Sequence, residues 1–356
     1  MIRLLIADDS ALMRKLLAGV FAAEGDFEVT LARDGEEALE LACRIRPDVA
    51  TLDVQMPRMD GLSCLDRLMI EAPCPVVMVS AITDCGADAT LEAMRLGAVD
   101  FVPKPTGAVS LAIDRFGPLI VAKVRAATQA KMRRSLRLTE RVRHRTGGLG
   151  EAPAPFSSVR YASDREPEGL VLIGTSTGGP PALETVLTQL PSSFPWPVLV
   201  AQHMPATFTG AMARRLNSLC ALEVMEVGEP TPLQRGRVHI ARGDADVLVS
   251  PRAGGPVALP APATSRHLWH PSVDRMVESA MQHLPPGRLL GVLMTGMGND
   301  GAEAMTKLRA LGGRTIAEAE SSAVVWGMPG ELVRAGGAEL VAPVDEIASA
   351  MRAMVV

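Results

Sequence analysis

At 356 residues, with 47% hydrophobic and 21% charged side chains, the chain is longer than one core usually grows, and two domains are expected. A formal net charge of −4 gives no global reason to expect nucleic-acid binding. No run approaches the roughly 18 to 20 apolar residues of a membrane span, so a cytoplasmic protein without membrane insertion is expected. The five cysteines are odd in number and lack metal-ligand spacing, which makes free thiols the expectation.

The chain opens on an apolar strand, Arg3 to Asp8, that ends in Asp8, Asp9 and Ser10. Ser10 can cap a helix whose apolar face is Leu12, Leu16, Leu17, Val20 and Phe21. The alternation then repeats. Strands are expected over Phe27 to Ala32, Asp48 to Asp53, Pro75 to Ser80 and Val99 to Val102, and helices lie between them. Asp34 and Glu37 make a capping-box-like start to the second helix. Five strands alternating with helices imply a parallel, doubly wound sheet, whose functional crevice lies at the carboxyl ends of the strands. There the sequence places Asp8, Asp9, Asp53, Ser80 and Lys104. Three clustered carboxylates repel one another and call for a cation, and oxygen-only ligands suit Mg2+. A carboxylate beside both a metal and a lysine is a credible phosphoryl acceptor.

The segments IADDSALMRKLL, LDVQMPRMDGL, VVMVS and GAVDFVPKP resemble the response-regulator receiver domain. The resemblance implies that Asp53 accepts the phosphoryl group. Asp8, Asp9 and Asp53, with the backbone carbonyl of Gln55, would bind Mg2+. Ser80 and Lys104 would meet the phosphoryl oxygens, Phe101 takes the switch-aromatic position, and the Lys104–Pro105 peptide would be cis.

Residues 126–169 are expected to connect the domains. The first half is basic, from Lys131 to Arg145, and the rest, from Gly147 to Gly169, is rich in Gly, Pro and Ser and has no apolar period, as a linker does.

The second domain begins with Leu170 to Pro181, LVLIGTSTGGPP. A short buried strand runs into a glycine-rich loop, and Gly174, Ser176 and Gly178 fit the G-x-S-x-G spacing that lifts a serine above a sheet. Such a turn serves equally to cradle a phosphate, although no P-loop lysine follows it. Val198 to Ala201 is a strand that leads to His203, and Leu289 to Met294 is another that leads through TGMGNDG to Asp300. Further short strands are expected over Glu223 to Val227, Arg237 to Ala241, Gly313 to Ala317 and Glu339 to Val341. Asp246 to Ser250 forms a hairpin with Val257 to Leu259. Ser176, His203 and Asp300 all follow apolar strands of one parallel sheet, and they supply a nucleophile, a base and an orienting acid. His267 and His270, in a polar loop before the next helix, are open as lining for a substrate groove; the order serine, histidine, acid differs from that of ordinary α/β-hydrolases, which would favour a downstream histidine as base.

The segments IGTSTGGPPALE, AQHMPATFTGAMARRLN, HPSVDRMV, LMTGMGNDGAEAM and ESSAVVWGMPGELV resemble the catalytic domain of protein-glutamate methylesterases of the CheB family. Receiver, linker and esterase occur in that order in the family. The resemblance implies Ser176 as nucleophile, His203 as general base and Asp300 as its partner, with Thr177 and the backbone of Met297 at the oxyanion. Thr175, Ala206, Arg242, and Glu318 with Ala319 depart from the family's usual residues.

The fold class expected is therefore α/β in two domains. Residues 1–125 form a doubly wound receiver of five parallel strands, and 170–356 form a doubly wound, mainly parallel sheet with an added β-hairpin. The function expected is a phosphorylation-activated serine esterase that demethylates glutamate γ-methyl esters on chemoreceptors and deamidates receptor glutamines. Its expected partners are methyl-accepting chemoreceptors and a chemotaxis histidine kinase, and the protein would act as a monomer. Mg2+ would serve the receiver, with no cofactor needed for ester hydrolysis. The rival expectations are a nucleotide-binding module and a phosphorylation-dependent adaptor with little catalysis.

Overall fold

The computed structural model describes residues 1–80, 84–105, 109–131 and 167–355, which form two compact units. The basic tract from Arg133 to Arg145 and most of the Gly/Pro-rich connector lie outside the described residues.

The N-terminal unit alternates β1 (Ile2–Ala7), α1 (Ala11–Glu24), β2 (Phe27–Ala32), α2 (Gly35–Ile45), β3 (Val49–Asp53), α3 (Gly61–Glu71), β4 (Val76–Ser80), α4 (Asp84–Leu96), β5 (Asp100–Pro103) and α5 (Val109–Thr128). Its sheet has the order β2-β1-β3-β4-β5, with every pairing parallel. The strands are near-continuous apolar runs because helices cover both faces; β3 and β4 are buried at every residue. The helix starts follow the capping signals. Ser10 Oγ accepts from Met13 N, and Asp34 accepts from the N–H groups of Glu36 and Glu37 while Glu37 reaches back to Arg33 N at 2.8 Å. Leu17 and Phe21 lie in the core as their spacing predicts, but Leu12, in the first turn of α1, is 62% exposed.

In the C-terminal unit β6 (Leu170–Thr175), α6 (Gly179–Leu187), β7 (Val198–Gln202), α7 (Ala206–Leu219), β8 (Glu223–Val227), β9 (Thr231–Pro232) and β10 (Arg237–Ala241) come first. They are followed by β11 (Ala245–Arg252), β12 (Gly255–Pro262), α8 (Val273–His283), β13 (Leu289–Leu293), α9 (Ala302–Ala310), β14 (Arg314–Glu318), α10 (Met328–Arg334), β15 (Leu340–Ala342) and α11 (Val344–Met354). Seven strands make one parallel sheet in the order β15-β14-β13-β6-β7-β10-β8. The expected hairpin is β11 with β12. It joins β9 in a separate three-stranded antiparallel sheet instead of extending the large one. Progression from β6 runs outward in both directions, so the topological switch lies between β6 and β13, where a crevice opens at the carboxyl ends of the strands.

His239 is wholly buried within β10, with Nδ1 3.4 Å from Val198 O and Nε2 3.1 Å from Pro232 O. Burial outweighs those two carbonyls and pushes its pKa down to about 4. The unfolded chain therefore takes up a proton at this position as pH falls below the ordinary value near 6.5, whereas the folded chain resists until about pH 4. Stability present at neutral pH is lost across that window. Urea unfolding of this unit should weaken by about 2 kcal/mol between pH 7 and pH 5, and the His239 ring should remain neutral by NMR over that range.

Candidate functional site

At the carboxyl edge of the N-terminal sheet, Asp8 and Asp53 are buried and Asp9 is exposed, and one carboxylate oxygen from each lies within 4.8 Å of the others. β1 and β3 are neighbours, so their terminal aspartates meet at the switch point of the sheet. Lys104, which follows β5, reaches across to Asp53 Oδ2 at 2.7 Å and to Asp8 Oδ2 at 2.8 Å. Burial raises the Asp53 carboxyl above its usual range, and the Lys104 ammonium opposes that shift without cancelling it. Burial works against the Lys104 charge as well, but Asp53 and Asp8 together raise its pKa. Gln55 N approaches Asp53 Oδ1 at 3.4 Å. Ser80 ends β4, buried, and its carbonyl accepts from Lys104 N at 2.7 Å. Phe101 is buried with the Lys123 ammonium 5.5 Å from its ring centroid. A set of hard oxygen donors from three carboxylates, one open to solvent, fits Mg2+ with water completing its shell. The Lys104–Pro105 peptide is trans, contrary to expectation; the cis bond among the described residues is His270–Pro271. An X-Pro sequence by itself leaves the isomers within about 1 kcal/mol, so the surrounding fold chooses.

In the C-terminal unit the strand-end loops of β13, β6 and β7 lie side by side and bring Thr295–Asp300, Ser176 and His203 to one crevice. The loop after β6 turns sharply at Gly178, whose φ of 78° suits glycine. Ser176 N donates to Thr295 O at 2.9 Å, and Gly296 comes so close that an added Cβ would stand 2.8 Å from Ser176 Cβ. Met297, partly exposed, follows directly, while Thr177 is buried and its carbonyl accepts from Thr295 Oγ1 at 2.9 Å. His203 N donates to Thr175 O at 3.1 Å, which ties the loop of the candidate base to that of the candidate nucleophile.

The imidazole of His203 is oriented by Asp300: Nε2 lies 2.8 Å from Oδ2, and both side chains are buried. Nδ1 is also buried and has no hydrogen-bond partner among the described residues. A carboxylate at Nε2 fixes the proton there and leaves the Nδ1 lone pair available. No hydrogen bond joins Ser176 Oγ to the ring. The acid is itself held by the start of α8: Val273 N donates to Oδ2 at 2.7 Å, and Asp274 N and Ser272 Oγ donate to Oδ1 at 3.0 and 3.1 Å. Burial raises the Asp300 pKa, yet His203 and these N–H groups outweigh it and hold the carboxyl below its usual range. The arrangement is reciprocal, because Asp274 accepts from Ala304 N at 3.0 Å in the first turn of α9. Burial, reinforced by the Asp300 charge against the opposing Ala304 bond, pushes Asp274 up to about 6.

Several residues of the site carried no assignment from the sequence. Gln202 is buried, and its Nε2 donates to Ser176 O at 3.0 Å and to His203 O at 3.1 Å, clamping the two loops. Thr295 links the loops after β6 and β13 to Val325, whose N–H donates to its hydroxyl at 3.0 Å. Trp269 stacks on His203, with ring centroids 5.8 Å apart at 15°. Only Ser272 had a readable signal, the serine before a helix start. His267 and His270, left open as groove residues, bind Ser272 Oγ at 3.2 Å and the buried Asp246 at 2.8 Å, and thus brace the segment before α8.

Residues 171–351 match the CheB methylesterase family model, and residues 4–113 match that of the response regulator receiver domain. Over 99% of the chain and 97% of the relative, the sequence is 62% identical to protein-glutamate methylesterase/protein-glutamine glutaminase 2 of Rhodopseudomonas palustris. It is 53% identical to the corresponding protein 3 of Rhodospirillum rubrum, over 99% and 96% of the two chains. Among solved structures, the catalytic domain of Thermotoga maritima CheB methylesterase superposes with a TM-score of 0.51 at 34% identity, covering 52% of this chain and 98% of that one. With both its domains matched in order and its relatives aligned nearly end to end, the chain belongs to the CheB methylesterase family.

Proposed function

We propose that this protein is a phosphorylation-controlled esterase that hydrolyses γ-methyl esters of glutamate residues on chemoreceptors and, by the same route, deamidates selected receptor glutamines. The observation that carries the reading is the buried His203 ring, fixed by Asp300 at Nε2 and without a partner at Nδ1 among the described residues, in a loop clamped to that of Ser176. Ser176 Oγ attacks the ester carbonyl carbon as its proton passes to His203 Nδ1. The backbone N–H groups at Thr177 and Met297 stabilise the oxyanion, and one such donor is worth about 3 kcal/mol. His203 returns the proton to the departing methoxide, methanol leaves, and water attacks the acyl-enzyme by the same steps in reverse, releasing glutamate and the serine hydroxyl. With glutamine the leaving group is ammonia.

Control lies in the receiver. Asp53 accepts the phosphoryl group from a chemotaxis histidine kinase, and Lys104 is already poised to pair with its oxygens. Mg2+, held by Asp8, Asp9, Asp53 and the Gln55 carbonyl, would offset the negative charge gathered there. The added charge of roughly −2 draws on Ser80 and Phe101 and changes the state of the receiver. The protein works as a cytoplasmic monomer, and no helix among the described residues is long and apolar enough to cross a membrane. The test is methanol release from methylated chemoreceptor membranes, with and without a small-molecule phosphodonor plus Mg2+. Release should rise with phosphodonor, and EDTA should return it to within about twofold of the basal rate. Release that ignores phosphodonor would retain the esterase and discard the switch.

A further inference from the structure

The loop between β12 and α8, residues 263–271, holds an apolar side chain out into solvent next to the triad. Leu268 is 88% exposed, the highest value of any large hydrophobic among the described residues. A solitary exposed leucine ordinarily means nothing. Three features set this one apart. First, its neighbour Trp269 stacks on His203 and also reaches the loop after β13, where a Cβ on Gly298 would stand 3.5 Å from Trp269 Nε1. Leu268 is thus one residue from a ring that spans the base and the oxyanion loop.

Second, the loop is tied down at both ends. Arg275 Nη1 donates to Pro262 O at 2.7 Å where the loop begins and to Asp246 Oδ2 at 2.6 Å. His270 Nδ1 meets Asp246 Oδ1 at 2.8 Å where it ends, and His267 Nδ1 meets Ser272 Oγ at 3.2 Å between them. The Asp246 side chain is fully buried, and burial would raise its pKa, but His270, Ser272 N and Arg275 hold it below the usual carboxylate range. A braced loop gives up little freedom when a partner docks, so the burial of Leu268 is not offset by ordering of the chain. Third, Arg266 belongs to the same loop, and Arg242 follows β10, whose neighbour β7 leads to His203. Both arginines are exposed and have no ion-pair partner among the described residues. A surface whose glutamates are partly esterified and partly free is anionic, and these two charges complement it.

We propose that Leu268 is the docking anchor for the receptor segment that carries the ester: it buries against an aliphatic side chain beside the glutamyl group while Arg266 and Arg242 face the neighbouring carboxylates. The proposal rests on the methylesterase reading above and names how that site selects a protein surface over a free ester.

The test uses the full chain, activated with phosphodonor and Mg2+, on methylated chemoreceptor membranes and, in parallel, on a small soluble ester. Leu268→Ser should raise KM for receptor membranes about tenfold, as expected for losing most of a leucine's burial, with kcat and small-ester turnover changed far less. Leu268→Met should restore most of the affinity. A receptor KM within about twofold of wild type in the serine variant overturns the docking role and leaves the esterase standing. An equal fall on both substrates also overturns it, because Leu268 would then act on the chemistry. Increased release without phosphodonor at unchanged KM would assign the side chain to restraint by the receiver, again against the proposal. Wild-type protein that turns over the small ester but no receptor ester would overturn the methylesterase reading, and this inference with it.

Discussion

Replacing Ser176 with Ala should lower methanol release by about 10⁴-fold or more while leaving the fold and the phosphorylation of Asp53 intact. Ser176 is small and buried, its N–H is bound to Thr295 O, and its side chain is in no hydrogen bond among the described residues, so alanine fits the same turn. Loss of the nucleophile removes the acyl-enzyme route altogether. What remains is the contribution of oxyanion donors and binding, which act on direct attack by water. The check is methanol release by wild type and variant side by side, with phosphodonor-driven labelling of both chains as the control. A variant that kept substantial release would move the nucleophile elsewhere, and one that still supported receptor adaptation without release would favour an adaptor role.

Asp300→Asn should reduce kcat by about 10⁴-fold, and it should also destabilise the C-terminal unit by about 1 to 3 kcal/mol. Four donors converge on the carboxylate: His203 Nε2 and Val273 N on Oδ2, Ser272 Oγ and Asp274 N on Oδ1. An asparagine has one acceptor oxygen, so its amide N–H₂ takes either the Oδ2 place, facing the ring and Val273 N, or the Oδ1 place, facing Ser272 Oγ and Asp274 N of α8. Facing the ring, it donates to Nε2 and drives the proton onto Nδ1, the atom needed as base. Facing α8, it leaves buried N–H groups without an acceptor and weakens the helix cap. The two effects separate experimentally, since kcat measured well below the melting transition reports the tautomer and urea unfolding reports the cap. The low pKa of Asp300 adds a sign. Its stabilisation is present above the unfolded carboxyl value and disappears as pH falls through the folded one, so the stability gap between wild type and variant should close in acid.

Much of the architecture was legible without coordinates because its signals are local. Apolar runs of strand length that alternate with capped amphipathic helices specify parallel α/β units, and both sheets obey that grammar. The strand ends also announced their chemistry. Asp8, Asp53 and Lys104 meet as the alternation requires, and so do the loops of Ser176, His203 and Asp300, since β13, β6 and β7 are adjacent. Where local signals were ambiguous, expectation failed. The amphipathic spacing of α1 includes Leu12, but spacing does not say how much of a helix face is covered, and Leu12 is exposed. The residue pair Lys104–Pro105 does not choose its isomer. The hairpin was readable, whereas its separation from the large sheet depends on β9, a two-residue strand too short to have a period.

What the sequence determined by itself was the order of elements, the family, and which reactive side chains stand at which strand ends, because each depends on residues close together in the chain. Tertiary structure alone decided which nitrogen of His203 meets Asp300, that Gln202 clamps the loops of nucleophile and base, that the start of α8 holds the acid, and that Trp269 covers the imidazole. Apart from the Gln202 bond to the adjoining His203, those contacts join residues from 26 to 97 positions apart. They arise from strand order and from the geometry of close-packed loops, for which a linear chain carries no periodic or neighbouring mark.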